Sequence, residues 1–205
     1  IFGTGSAPID YTIAGILIEH ASETTIGGPS AGARNVISGN TGSGIIMQYS
    51  PCSDNTIQGN YIGVNVTGSS PLSNTGDGIV LSPGTAGTII GGLGAGAGNV
   101  ISGNTGRGIY TNGSDGNTIA GNYIGVDAAG SAPVPNGSDG VYLNASDTCS
   151  IGGLSFGEGN LISGNGGNGI KMQSCADNDI FYNHIGTDAS GTLAIPNTNS
   201  GIALD

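Results

Sequence analysis

The chain has no tryptophan, three phenylalanines and only three basic side chains in 205 residues. Nucleic acids and anionic bilayers are bound through a basic footprint, which Arg34, Arg107 and Lys171, scattered along the sequence, cannot build. Fourteen acids leave a formal net charge of −11, so polyanions are repelled over most of the surface. No apolar run is long enough to cross a bilayer, and the first residues show no charged n-region followed by an apolar h-region. With Ile1 rather than Met at its start, the sequence reads as an excised or processed piece. A sustained helical period is also missing. Neither nucleic-acid binding nor membrane insertion is expected.

What the chain has instead is repetition. The run Asn99 to Asn104 (NVISGN) returns at Asn35 to Asn40 and, as NLISGN, at Asn160 to Asn165. Gly121 to Gly125 (GNYIG) has a twin at Gly59 to Gly63 and a looser copy at Tyr182 to Gly186. A finer motif, glycine-aliphatic-x-aliphatic, starts at Gly15, Gly44, Gly78, Gly140, Gly169 and Gly201, and Gly108 opens a copy with Thr111 in last place. Gly-Ser/Thr turns at Gly5, Gly68, Gly130 and Gly191 precede every second copy. Self-similarity at a fixed period marks a repeat architecture. Coils of about 29 to 34 residues, paired into a longer repeat of about 62, predict one continuous solenoid domain over residues 1–205. Forty-two glycines suit disorder as well, but the aliphatic residues are too regularly placed for it.

Each coil reads as three short strands separated by Gly/Asn/Ser turns. Successive side chains on a strand face opposite ways, so positions that are aliphatic in every coil are the inner ones. Three columns follow. The first runs Ile16, Ile45, Ile79, Ile109, Val141, Ile170, Ile202; the second Ile26, Ile57, Ile90, Ile119, Ile151, Ile180; the third Ile37, Ile62, Ile101, Ile124, Ile162, Ile185. At roughly 1.5–3 kcal/mol per buried aliphatic, such stacks hold together a coil that is mostly turn. Asparagines stand at the bends: Asn35, Asn60, Asn99, Asn122, Asn160 and Asn183 in every coil, and Asn55, Asn117 and Asn178 alternating with Thr24, Thr88 and Cys149. Asparagine accepts left-handed turn geometry, and stacked carboxamides bond to neighbouring bends.

These segments resemble the right-handed parallel β-helix repeats of secreted and cell-surface proteins, the pectate-lyase-like solenoid fold, and the resemblance spans essentially the whole chain. It implies an all-β parallel helix of about six coils, roughly 30 Å long at the inter-strand spacing, in an extracellular or cell-surface protein. The fold family includes polysaccharide lyases and hydrolases, adhesins and structural fibres, so the scaffold alone does not choose among them. Handedness is implied by the resemblance.

Chemistry is sparse. The pectin hydrolases of this fold carry clustered aspartates with Gly-His-Gly and Arg-x-Lys signatures, and none of these occurs here. Asp77 and Asp139 precede their coil glycines two coils apart, about 9.6 Å at the strand spacing and near the upper end for an inverting carboxylate pair. Arg107 holds the same place between them, so the column Asp77, Arg107, Asp139 reads as a surface ion ladder rather than a catalytic pair. A lyase needs a base and cations around a carboxylate, and the outer face of the first strand offers one lysine, Lys171. Asn65, Asp127 and Asp188 share a loop position that could help bind calcium, but with one carboxylate per site and no further acids at short spacing they read first as turn-forming Asx residues. No other metal or cofactor is expected. Cys52 and Cys175 hold equivalent positions four coils apart and cannot pair; Cys149 reads as a small buried thiol.

Two outward rows stand out. The first strand presents Leu17, Ile46, Val80, Tyr110, Tyr142, Lys171 and Ala203; the third presents Val36, Tyr61, Val100, Tyr123, Leu161 and His184. Exposed apolar rows make binding or packing surfaces, and tyrosine stripes suit sugar rings or a neighbouring subunit, unless loops cover them. His184 reads as a tyrosine substitute in its row. Asn-x-Ser/Thr sequons at Asn65, Asn112, Asn136 and Asn144 fall in expected loops or strand ends. The sequence thus predicts a non-catalytic structural or adhesive solenoid, able to self-associate end to end or laterally through uncapped coils. The alternative is a β-helix that binds or acts on polysaccharide.

Overall fold

In the computed structural model, residues 14–155 and 157–205 are described. The leading Gly-Ser-Ala-Pro turn at Gly5 lies outside them. The chain winds as a parallel β-solenoid of about six turns built from three long sheets. The first sheet has seven strands, in chain order Ala14–Glu19, Ser43–Gln48, Ile79–Leu81, Ile109–Asn112, Val141–Asn144, Ile170–Gln173 and Ile202–Leu204. The second sheet has six, from Thr25–Gly27 to Asp179–Phe181, and the third has six, from Val36–Ile37 to His184–Ile185. A short extra pair, Cys52–Ser53 with Thr85–Ala86, lies between the first and second sheets. The one helical segment among the described residues is a single 3-10 turn, Ala31–Ala33.

Pairing register follows the sequence columns. Ile109 stands between Ile79 and Val141, Ile119 between Ile90 and Ile151, and Ile124 between Ile101 and Ile162. All nine of these side chains are fully enclosed in one core cluster. The first sheet adds another inner position, filled by Ile18, Met47, Leu81, Leu143 and Met172. Thr111 occupies this position in its own coil, fully buried, with its hydroxyl 2.9 Å from that of Ser146.

The bends are held by carboxamides. Asn60 donates its backbone and side-chain N–H groups to Oδ1 of Asn99, 2.9 and 3.1 Å away, and sends its other side-chain N–H to the carbonyl of Ile26 at 2.9 Å. The pattern repeats from Asn35 through Asn99, Asn122 and Asn160 to Asn183. A second ladder, Asn40, Asn74, Asn104, Asn136, Asn165 and Asn197, lines the bend between the third and first sheets; each carboxamide donates to the next, and Asn40, Asn104 and Asn165 add their backbone N–H groups. Along the third bend Thr24, Thr88 and Cys149 donate backbone N–H groups to Asn55, Asn117 and Asn178. Buried amides left unpaired cost about 1–3 kcal/mol each, and beyond the first rungs, Asn35 and Asn40, each ladder Oδ1 and Nδ2 is used.

The coil glycines exist because of this ladder. A Cβ built on Gly108 would come within 2.5 Å of the Gly140 carbonyl, 2.8 Å of Ile124 and 3.0 Å of the Asn136 amide. Gly44, Gly78, Gly140 and Gly169 meet the same three kinds of neighbour. Core column, ladder and next strand converge where the first strand begins, which leaves no space for a side chain.

Candidate functional site

Turn length sets what each outer face shows. Even coils carry a long loop after the third strand, and these loops fold back with antiparallel bridges Val64 to Pro71, Val126 to Pro133 and Thr187 to Ala194. Each is stapled by its Asx residue. Asp127 accepts from the backbone N–H groups of Ser131 and Ala132 at 2.7 and 3.1 Å, Asp188 from Thr192 and Leu193 at 2.9 and 3.0 Å, and Asn65 from Ser69 at 3.0 Å. The Leu193 N–H, the Ser190 hydroxyl and the Thr192 N–H hold the Asp188 carboxyl below the usual carboxylate range. In Asp127 and Asp188 one carboxylate oxygen is thus engaged by the loop's own backbone and the other by a hydroxyl, of Ser131 and Ser190. Among the described residues no three His, Cys, Asp or Glu side chains form a metal-holding group.

The loops also stack on one another. Ala128 N–H donates to Gly68 O at 2.9 Å, and Ala189 N–H to Gly130 O at 2.8 Å. They lie over the third sheet, where Val100 packs with Val64 and Val134, and Leu161 with Val126 and Ile195. The third outward row is therefore not the open stripe its sequence suggests: Val100 and Leu161 are only 6% and 3% exposed, while Tyr61 and Tyr123 are half-buried and His184 is exposed. Tyr61 takes Arg34 against its ring, the guanidinium carbon 4.1 Å from the ring centre.

On the first sheet the outward row is exposed at Leu17, closed at Ile46, which is 3% exposed, and half-buried from Val80 onward. Tyr110 and Tyr142 stand on paired strands with ring centres 5.4 Å apart. Arg107 lies over both, at 4.3 and 4.8 Å, and Lys171 approaches Tyr142 at 5.3 Å. The Tyr142 hydroxyl donates to the Gln173 side-chain carbonyl, which fixes the ring's direction. Arg107 is paired with Asp77 at 3.5 Å and Lys171 with Asp205 at 3.3 Å.

Asp77, Arg107 and Asp139 do share one column, but it holds one ion pair and not a continuous ladder. Asp77 receives the Arg107 backbone N–H at 2.6 Å as well as its guanidinium, whereas Asp139, almost buried, accepts the backbone and side-chain N–H groups of Asn168, each at 2.7 Å. In both cases a carboxylate ties its coil to the next, a task the Asn168 carboxamide performs for Ser200 at 3.1 Å.

The remaining sequence candidates fall into two groups. Asn136 is fully buried within the second ladder, so that sequon is closed to modification, while Asn65, Asn112 and Asn144 are partly exposed. Cys52, Cys149 and Cys175 are all free thiols. Burial pushes the Cys149 thiol up, and its backbone N–H serves the third bend. Sequence reasoning missed the whole second ladder, Asn40, Asn74, Asn104, Asn136, Asn165 and Asn197, and Gln173 and Asp205 as partners of the tyrosine–cation seam. Equal spacing from the coil glycines, four residues before Gly78, Gly140 and Gly201 as Asn40 and Asn104 stand before Gly44 and Gly108, was the signal for the ladder.

No protein-family model and no curated protein matches the chain. Among solved structures, a crystal structure of a mutant of the periplasmic alginate epimerase AlgG is similar, with a TM-score of 0.61 and 18% identity over 85% of this chain. The match takes in 33% of the epimerase chain, so this protein spans about a third of that one. At that identity the likeness is one of architecture, and the protein is a parallel β-helix.

Proposed function

We propose that this chain is a rigid extracellular β-solenoid, one continuous domain, that adheres to polysaccharide through the outer face of its first sheet without altering it. The observation that carries the reading is the seam of Tyr110 and Tyr142 flanked by Arg107 and Lys171. Aromatic rings offer the flat apolar faces on which pyranose C–H groups stack, and their polar rims, with two cations, give sugar hydroxyls directional partners. The rings are fixed by neighbouring side chains, so little side-chain freedom is lost on binding. An acidic, repetitive surface suits a spacer held away from other polyanions. The fold-mate is named as an enzyme of a polysaccharide, which agrees with a glycan partner.

Isothermal titration with neutral and uronate oligosaccharides tests this directly. Binding by the intact chain should fall at least tenfold when Tyr110 and Tyr142 are replaced by Ala, with the fold retained by circular dichroism; unchanged binding would sink the reading. The same mixtures, followed by proton NMR, test a second reading favoured by the fold likeness, in which the chain contributes to a polysaccharide lyase, hydrolase or epimerase. New reducing ends, unsaturated ends or inverted ring signals would establish turnover. Electron microscopy over a concentration series tests end-to-end self-association, which would make the solenoid a fibre segment.

A further inference from the structure

The third face carries a second surface that the first-sheet reading does not use. Its floor is the row Tyr61, Tyr123 and His184, one residue every second coil, so successive members stand about 9.6 Å apart at the usual strand spacing. Two rows of turns wall it. On one side lie the stacked loops that bring Ala128 and Ala189 beside the rings; on the other lie the glycine-rich turns containing Gly96, Gly98, Gly157 and Gly159. Two clefts, of about 320 and 200 Å³, open between the walls and share Tyr123, so they follow one another along the solenoid axis as a trough in two segments.

Its electrostatics differ from those of the rest of the molecule. Fourteen acids are spread along the sequence, yet among the described residues no carboxylate lines either cleft. Arg34 lines the first. Arg107 and Lys171 have carboxylate partners, but Arg34 has none within 4.0 Å among the described residues. It is nonetheless held in place: Nε donates to the Gly59 carbonyl at 3.1 Å and the guanidinium lies on the Tyr61 ring. That leaves the two terminal nitrogens of a pre-oriented planar fork for a ligand, the geometry that matches a planar oxyanion.

We infer that this trough is a separate binding site for an extended anionic glycan, with one acidic group on Arg34 and the sugar chain running along Tyr61, Tyr123 and His184. The two-coil spacing gives each aromatic side chain about the length of a disaccharide in an extended chain. Backbone groups of the glycine turns and the edges of the tyrosines supply the remaining contacts with hydroxyls.

Titration of the full chain with oligogalacturonate, a sulfated glycosaminoglycan fragment and neutral cello-oligosaccharide tests it. Tyrosine-ring NMR signals identify the face occupied. The anionic probe should shift Tyr61 and Tyr123, and Arg34→Gln should weaken it about tenfold or more, the worth of one charge-assisted fork. Arg34→Lys, keeping the charge without the fork, should recover part of the loss. Comparing oligogalacturonate with the sulfated fragment decides whether the oxyanion is carboxylate or sulfate. Replacing Tyr110 and Tyr142 by Ala should leave trough binding unchanged, so failure of the first-sheet reading and failure of this one are separable. Full-strength binding by Arg34→Gln, equal loss for the neutral probe, or no shift at Tyr61 and Tyr123 with any probe would overturn it.

Discussion

The first and third sheets both carry outward rows of aliphatic residues and tyrosines, consecutive tyrosines on the first and alternating ones on the third, and end as different surfaces. On the first sheet Tyr110 and Tyr142 remain at the surface within a seam of cations. On the third, Val100 and Leu161 are sealed beneath loops from alternate coils. The strands themselves do not differ in kind. What differs is the turn that follows them, so an outward row becomes a platform, a satellite core or a trough according to the length of its neighbouring loops.

The largest effect is expected where the two faces share a support. Asn136 lies on the bend between them, and Asn136→Ala removes the acceptor of the Asn104 donors and the donor to the Asn165 side-chain oxygen, and leaves the Ile101 carbonyl with the Gly125 N–H alone. At about 1–3 kcal/mol per buried group, the loss should be roughly 3–6 kcal/mol. Denaturant unfolding checks it, and amide exchange should rise on both faces together. Leu161→Ala should cost roughly 2–3 kcal/mol, toward the lower end for a core leucine because its satellite cluster is small. The matched change on the first face, Val80→Ala, should stay within about 1 kcal/mol because Val80 is only half-buried. Equal losses at the two positions would break the comparison. Tyr142→Ala should change stability by less than about 1 kcal/mol, with its effect confined to ligand binding.

The smallest effect is local and depends on pH. The Asp188 carboxyl is held below its ordinary range, by the Leu193 N–H first and the Ser190 hydroxyl next. Its contribution is thus present above the unfolded value of about 3.9 and lost as pH falls through the lower folded value. Amide exchange at Thr192 and Leu193 should accelerate on acidification below that range while the core amides stay protected. In Asp188→Asn, which keeps an acceptor without the titration, this acid-induced change should disappear.

Columns and strands were legible because each coil repeats the same alternation: Ile57, Ile90 and Ile119 stand in register as their spacing requires. The ladder from Asn35 to Asn183 was legible for the same reason. Its companion was missed throughout: Asn40, Asn104 and Asn165 close a repeated motif that was given no bonding role, and Asn74, Asn136 and Asn197 end long loops whose other positions have no counterpart in odd coils. The covering of Val100 could not be read locally either, since it comes from Val64 and Val134, in loops of two different coils. The column of Asp77, Arg107 and Asp139 was located from sequence, but whether Arg107 would bond to one acid or two depended on where its side chain lay, and it lies against the tyrosines.

The asparagine ladders also have a direction. Along both ladders each carboxamide oxygen accepts from the preceding coil, while one side-chain N–H donates to the next carboxamide and the other returns to a backbone carbonyl of the preceding coil. In ordinary sheets the peptide dipoles alternate and largely cancel, but these side-chain dipoles all point the same way and add. The solenoid therefore has an electrical axis independent of its ionised groups, negative toward its first coil and positive toward its last, so the molecule should orient in an applied field even at a pH where its net charge is zero.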